Sequence, residues 1–136
     1  MRLMLDTNVV VDIITRREGY EDSLKLLKYC ETKRVYGFIS ATTVTDVMYI
    51  IRKHLPPNLA RQAVQTLLLI VDVANVLKSD ILSAFSSDMK DYEDAVQALC
   101  ARRMKADFIV TKNLKDFTTS TVPAISPSGA LKILRG

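Results

Sequence analysis

The sequence predicts an α/β protein in which a mostly parallel β-sheet carries helices on both faces. Short apolar runs rich in β-branched residues alternate with longer segments of helical periodicity along the whole chain. At 136 residues and 49% hydrophobic content, the chain is long enough to bury a substantial core. No repeat, linker or low-complexity stretch interrupts the alternation. We therefore expect a single domain over residues 1–136.

Five short apolar runs are the predicted strands. The first, Leu3-Met4-Leu5, is followed directly by an acid and two small polar residues. The second, Val35-Tyr36-Gly37-Phe38-Ile39, is rich in β-branched and aromatic residues. The five runs cover residues 3–5, 35–39, 73–76, 108–110 and 123–125. Helical segments separate most of these runs, which is typical of parallel strands.

The segments between the strands are predicted helices, several of which begin at a capping residue. Ser40 and Ser126 can each cap a following helix, Asp91 opens another, and the pair Ser79 and Asp80 caps a short one. The predicted helices cover residues 9–15, 20–33, 41–54, 57–71, 81–85 and 91–105 and a last segment after Pro127, with a short turn at 114–117.

The composition is that of an ordinary compact globule. The net charge of +4 suits a phosphate-bearing partner, although solubility alone explains it equally well. The longest apolar run, residues 67–71, is too short to span a bilayer, and the N-terminus lacks the pattern of a signal peptide. Cys30 and Cys100 lie in helical patterns without metal-ligand spacing, which indicates buried thiols in a reducing cytosol. We expect a cytoplasmic protein with no membrane partner.

Four acids fall at equivalent points of this pattern. Asp6 and Asp116 follow the carboxyl ends of predicted strands, while Asp46 and Asp94 lie near the N-termini of predicted helices. In a parallel sheet both kinds of position lie at the same edge, so the four carboxylates are expected to converge on one crevice. Unpaired, they would repel each other, and a hard divalent cation such as Mg²⁺ or Mn²⁺ would relieve the repulsion. Such a site can polarise a phosphodiester and activate water.

Each acid also has an ordinary structural interpretation. Asp6 is a suitable helix N-cap, and Asp46 could be a plain surface acid. Asp91 and Asp94 lie where a helix macrodipole favours negative charge, and a loop acid such as Asp116 is common in turns. The functional interpretation therefore depends on the four acids together.

The motifs resemble those of the PIN domain family, most closely the small prokaryotic single-domain proteins of the VapC type. The resemblance covers nearly the whole chain, in order, and rests on the segments Leu5-Asp6-Thr7-Asn8, Ile39-Ser40-Ala41-Thr42 with Asp46, Asp91-Tyr92-Glu93-Asp94-Ala95 and Ile109-Val110-Thr111-Lys112-Asn113-Leu114-Lys115-Asp116-Phe117. It implies a three-layer α/β/α sandwich and an endoribonuclease dependent on Mg²⁺ or Mn²⁺.

The resemblance also implies roles for individual residues. Asp6, Asp94 and Asp116 match the family's acids, and Asp46 stands where the family usually has Glu, which is one methylene longer. Asp91 is an additional or substitute metal ligand. The positions that shape or hydrogen-bond the site are matched by Thr7, Asn8, Ser40, Thr111 and Asn113.

Basic and aromatic residues complete the sequence-based expectations. Lys112 and Lys115 flank Asn113 and Asp116 and are the better candidates for holding an RNA backbone. The other basic clusters, including Arg16-Arg17, are most simply solvated helix ends. The tyrosines do not form the stacking pattern of a single-strand binder. The apolar segment 63–71 is ordinary core or part of a homodimer interface.

Three functions compete at this point. The leading hypothesis is a metal-dependent endoribonuclease that is the toxin of a toxin–antitoxin pair, with an antitoxin protein as its partner. The second is a catalytically weak PIN-like module that binds RNA or protein, which the shorter Asp46 motivates. The third is a phosphoryl-transfer signalling domain, because an acid after the first strand and a late Thr-Lys corner also occur there.

Overall fold

A five-stranded, fully parallel sheet forms the centre of the computed structural model, which describes residues 1–136. The strands are β1 (Arg2–Leu5), β2 (Tyr36–Ser40), β3 (Asp72–Ala74), β4 (Phe108–Val110) and β5 (Ala124–Ile125). Their order is β3-β2-β1-β4-β5, so β1 lies in the middle and pairs with β2 and β4. The predicted strands and the parallel sheet are confirmed.

Seven helices connect and follow the strands. They are α1 (Thr7–Thr15), α2 (Tyr20–Glu31), α3 (Ala41–Ile51), α4 (Pro57–Leu67), α5 (Lys78–Ala84), α6 (Tyr92–Arg103) and α7 (Pro127–Arg135), with a 3-10 turn at Leu114–Phe117. Helices α2, α3, α4 and α6 end earlier than predicted, whereas α1 ends at Thr15, as predicted. After α1, α2 and α6 the chain turns through left-handed residues, Arg16, Lys33 and Lys105, whose positive φ angles end a right-handed helix.

The helices cover both faces of the sheet. Leu3 and Leu5 of β1 point into one buried cluster with residues of α1, α2, α3, α4 and α7. Met4, between them, points into a second cluster with Ala98 and Ala101 of α6. Successive strand residues face opposite sides, so the central strand is buried on both. The expected three-layer α/β/α sandwich is confirmed.

Helix caps place polar side chains at the carboxyl edge of the sheet. Asp6 caps α1, Ser40 caps α3 and Asp91 caps α6 through their side-chain oxygens. At α5 the prediction is only partly right, because the helix begins at Lys78 and Asp80 lies inside it, accepting a hydrogen bond from the backbone N–H of Leu77 at 2.9 Å.

Both cysteines are buried free thiols, as predicted. No helix combines the length and the apolar character needed to cross a membrane.

Gly37 of β2 provides a test of the packing between β2 and α2. A Cβ added at this position would lie 2.6 Å from the Sγ of Cys30. We expect Gly37→Ala to lower the free energy of unfolding by about 1–3 kcal/mol through overpacking. Urea denaturation of the single variants and of Gly37→Ala/Cys30→Ala measures this, and the double variant should lose less than the sum of the two. If the losses of the two single variants add up to that of the double variant, the proposed crowding of Gly37 by Cys30 is contradicted.

Candidate active site

A cleft of about 720 Å³ opens at the carboxyl edge of the sheet. All four acids that the sequence singled out line it: Asp6, Asp46, Asp94 and Asp116. Asp91 does not line this cleft. It borders a smaller neighbouring hollow that shares Asp116 with the cleft.

Asp6 is the most firmly held of these acids. It is only 6% exposed. Its Oδ1 accepts hydrogen bonds from the backbone N–H of Thr7 at 2.8 Å and from Nε2 of Gln97 at 2.9 Å. Its Oδ2 accepts from Thr111 Oγ1 at 2.8 Å and from Asn8 Nδ2 at 3.0 Å. Burial raises the pKa of Asp6, and the hydrogen bonds from Thr111, Thr7 and Asn8 oppose that rise.

Gln97 is a site residue that sequence reasoning missed. It lies on α6, is 7% exposed and joins two parts of the site. While its Nε2 donates to Asp6, its Oε1 accepts hydrogen bonds from the hydroxyls of Ser40 and Thr43, at 3.1 Å each. The side chain therefore connects the end of β1 to the start of α3.

The predicted supporting residues lie at this edge of the sheet. Thr7, Asn8 and Thr111 contact Asp6 directly. Ser40 caps α3 and reaches Asp6 only through Gln97. Asn113 lines the cleft and donates its backbone N–H to Thr111 Oγ1 at 3.0 Å.

The pKa of Asp94 is raised by burial and by the negative charges of the neighbouring acids. Asp94 is half-buried at the start of α6, and its pKa is raised to about 7. Burial is the largest cause, followed by the negative charges of Asp91, Asp6, Asp116 and Glu93. No cationic side chain forms an ion pair with Asp94, so this repulsion persists in the ion-free protein.

Asp46, like Asp116, is an exposed acid of the cleft. It is exposed on α3 and forms no hydrogen bond or ion pair through its carboxylate. Partial burial within the cleft raises its pKa. Its carboxylate is thus free to turn towards a ligand.

The two lysines proposed to hold RNA differ in their surroundings. The Nζ of Lys112 lies 2.5 Å from Oδ2 of Asp12, a buried acid of α1, and its backbone N–H donates to Asn8 Oδ1 at 3.2 Å. Lys115 borders the smaller hollow beside Asp116. The basic residue that lines the main cleft is Arg17, which was interpreted from sequence as a solvated helix end.

Asp6, Asp94 and Asp116, together with Asp46 and Asn113, provide oxygen donors of the kind that Mg²⁺ and Mn²⁺ prefer. In their present rotamers, no three of the chain's His, Cys, Asp or Glu side chains form a group that could hold one ion. The types of side chain in the cleft fit a divalent cation, although in their present rotamers they do not form a ligand set. Binding of the ion requires the exposed carboxylates of Asp46 and Asp116 or the half-buried Asp94 to turn inwards.

Fold and cleft together define a parallel α/β protein with a carboxylate-lined site at the edge of its sheet. The sequence matches the family model described as PIN domain over residues 2–115. The chain therefore belongs to the PIN domain family, as the motifs indicated. A search of curated proteins finds no match.

Several solved structures have a similar fold. VapBC-1 from nontypeable Haemophilus influenzae aligns with a TM-score of 0.71 at 18% identity, covering 94% of this chain and 99% of that one. VapBC2 from Rickettsia felis, bound to a promoter DNA fragment, aligns with a TM-score of 0.70 at 20% identity, covering 91% and 96%. VapC20 from Mycobacterium tuberculosis, described as a toxin that cleaves the sarcin–ricin loop, aligns with a TM-score of 0.71 at 13% identity, covering 90% and 98%.

The raised pKa of Asp94 leads to a stability test. Between the unfolded pKa of 3.8 and about 7, the folded protein binds a proton that the unfolded chain has lost, so folding stability falls as pH rises through this range. We expect Asp94→Asn in EDTA to gain thermal stability over the wild type as the pH increases from about 5 to about 8. Asp22→Asn is the matched control, because Asp22 is also the third residue of its helix but lies outside the cleft. A gain that does not change with pH would contradict the raised pKa of Asp94.

The bridging role of Gln97 leads to a second test. Gln97→Leu removes the donor to Asp6 and leaves the buried hydroxyls of Ser40 and Thr43 without their shared acceptor. We expect a loss of about 1–3 kcal/mol in the free energy of unfolding, measured by urea denaturation. Gln65→Leu, at an exposed position of α4, is the control and should change stability by less than about 0.5 kcal/mol. Equal stability of the two variants would show that the bridge contributes nothing.

Proposed function

We propose that this protein is an endoribonuclease that depends on Mg²⁺ or Mn²⁺ and is the toxin of a toxin–antitoxin pair. The observation that carries the proposal is the convergence of Asp6, Asp46, Asp94 and Asp116 on one cleft of a PIN domain. Two further findings support it. The similar structures include one described as a toxin–antitoxin complex and one described as a toxin that cleaves the sarcin–ricin loop.

Asp6, Asp94 and Asp116 are the proposed principal ligands of the ion, with Asp46 and Asp91 as additional ones. The chemistry that a divalent ion would supply there is polarisation of a phosphodiester and activation of water. Asp6 already accepts four hydrogen bonds, which fix the orientation of the carboxylate that would hold the ion. Because the pKa of Asp94 is raised to about 7, this carboxyl would have to lose its proton before it could hold the ion.

The protein's own cations would hold the RNA backbone next to the acids. Arg17 lines the cleft itself, and Lys115 lies beside Asp116 in the adjoining hollow. Lys112 was the other candidate from sequence, but its ammonium group contacts RNA only if the pair with Asp12 opens. We therefore assign backbone binding to Arg17 and Lys115, with an affinity that falls as salt concentration rises.

Two apolar surfaces support the proposed protein partners. Leu82 and Phe85, three residues apart on α5, are 55% and 74% exposed, and they suit contact with a second copy of this chain. An apolar groove of about 360 Å³ lies between α1, α2 and α4, lined by Ile13, Leu27 and Leu67 among others. This groove suits an apolar segment of an antitoxin.

A cleavage assay tests the proposed nuclease directly. We expect the wild type to cut RNA with Mg²⁺ or Mn²⁺ and to lose all cleavage in EDTA. Asp6→Asn and Asp94→Asn should each reduce the rate by about 100-fold or more, because each removes a metal ligand. Asp22→Asn, outside the cleft, should cut at the wild-type rate.

The assay also separates the two main hypotheses. Cleavage that survives both substitutions and EDTA would overturn the metal-dependent mechanism. RNA binding without cleavage under any divalent ion would favour the catalytically weak binding module, most clearly if Asp46→Glu, which restores the longer side chain usual in the family, produces no activity.

A further inference from the structure

The cleft has an apolar wall that the metal chemistry does not use. Beyond the acids, the same cleft is lined by side chains from α3, α5, α6 and the segment after β3: Tyr49, Ile50, Val76, Ile81, Tyr92 and Val96. From sequence the tyrosines form no stacking pattern of the kind that single-strand binders use, whereas the fold places Tyr49 and Tyr92 in one cleft. The acidic and apolar parts are therefore one continuous binding surface.

Tyr49 is the most accessible aromatic group of this wall. It is 64% exposed and lies three residues after Asp46, which places it on the same face of α3, about 4.5 Å further along the helix axis. The Nζ of Lys53 lies 4.8 Å from the centre of its ring. One face of the ring thus carries a positive charge, and that ammonium group is also available to a phosphate.

The opposite side of the wall is held rigidly. The hydroxyl of Tyr92 donates a hydrogen bond to the carbonyl oxygen of Ile81 at 2.8 Å. The ring of Tyr92 packs against that of Phe85 with 4.7 Å between the ring centres. These contacts tie α5 to α6, so the wall facing the cleft keeps its shape without a ligand.

We propose that Tyr49 stacks on an unpaired nucleobase of single-stranded RNA, next to the phosphate that lies at the acids. The inference rests on the proposed nuclease function. A phosphodiester placed at Asp6 and Asp94 brings the base of a neighbouring nucleotide to the apolar part of the same cleft. An aromatic ring binds any base through its face, while Lys53 neutralises the adjoining backbone. A base within a duplex cannot present its face to the ring, so the site selects single strands.

RNA binding measured without cleavage tests this stacking. Fluorescence anisotropy is recorded with a short single-stranded RNA in Ca²⁺, and a gel confirms that the RNA stays intact. Tyr49→Ala and Tyr49→Leu should weaken binding by about tenfold, and Tyr49→Phe by less than about twofold, because the ring and not the hydroxyl makes the contact. Since Tyr49 is largely exposed, these substitutions leave the core untouched.

A scan with abasic nucleotides identifies the stacked base. Removing the base at one position should weaken wild-type binding by about tenfold and leave the binding of Tyr49→Ala unchanged. The inference is overturned if Tyr49→Ala binds as tightly as the wild type, or if base removal costs both proteins the same. It is also overturned if the wild type binds no RNA.

Sedimentation and cleavage measurements on the same variants separate base stacking from a dimer contact and from the nuclease activity. One outcome is that Tyr49→Ala shifts the monomer–dimer equilibrium in sedimentation, while base removal still weakens RNA binding by this variant as much as by the wild type. In that case the ring belongs to an interface between copies, and the inference fails. If the wild type cleaves RNA with Mn²⁺ but the Tyr49 substitutions do not change RNA binding, the stacking proposal is overturned and the nuclease proposal stands. If RNA binding depends on both Tyr49 and the base but no divalent ion supports cleavage, the result supports the stacking and overturns the nuclease proposal.

Discussion

The carboxylate of Asp6, buried at the end of the central strand, constrains the whole edge of the sheet. Burying an ionised carboxylate is costly unless hydrogen bonds replace its water. The four donors that do so come from different parts of the fold: Thr7 and Asn8 at the start of α1, Gln97 on α6 and Thr111 after β4. The hydrogen bonds to Asp6 therefore fix the relative positions of the helices and strands that carry the other acids of the cleft. The cleft follows from this network.

The charge distribution around the cleft leaves its acids without counter-ions. The chain's two salt bridges, Arg103 with Asp80 and Lys112 with Asp12, both involve acids outside the cleft. Arg17 lines the cleft but pairs with none of its acids. The ion-free protein thus keeps an unbalanced negative field at the edge of its sheet, and this field adds to the larger effect of burial in raising the pKa of Asp94. A site arranged for protein stability alone would have paired these charges.

Local patterns in the sequence were sufficient for the fold and for the acids. The strand runs and the caps Ser40, Asp91 and Ser126 depend on neighbouring residues, and the placement of the acids depends only on alternating strands and helices. Interactions between segments that are distant in the sequence could not be predicted from local patterns. Gln97 looks like any polar helix residue until α6 packs beside Asp6, and the pairing of Lys112 with Asp12 joins two segments whose spacing carries no signal. The left-handed residues Lys33 and Lys105, which follow the early ends of α2 and α6, were not predicted because Lys seldom adopts that conformation.

The central claim is that the acids of the cleft bind a divalent cation, and a crystal soaked in Mn²⁺ tests it most directly. An anomalous difference map is predicted to show a peak within the cleft, coordinated by oxygens of Asp6, Asp94 and Asp116, with the last two side chains turned inwards from their ion-free rotamers. The peak should disappear in crystals of Asp94→Asn. A soaked crystal with no peak in the cleft, or one whose Mn²⁺ binds only elsewhere on the protein, would contradict the account.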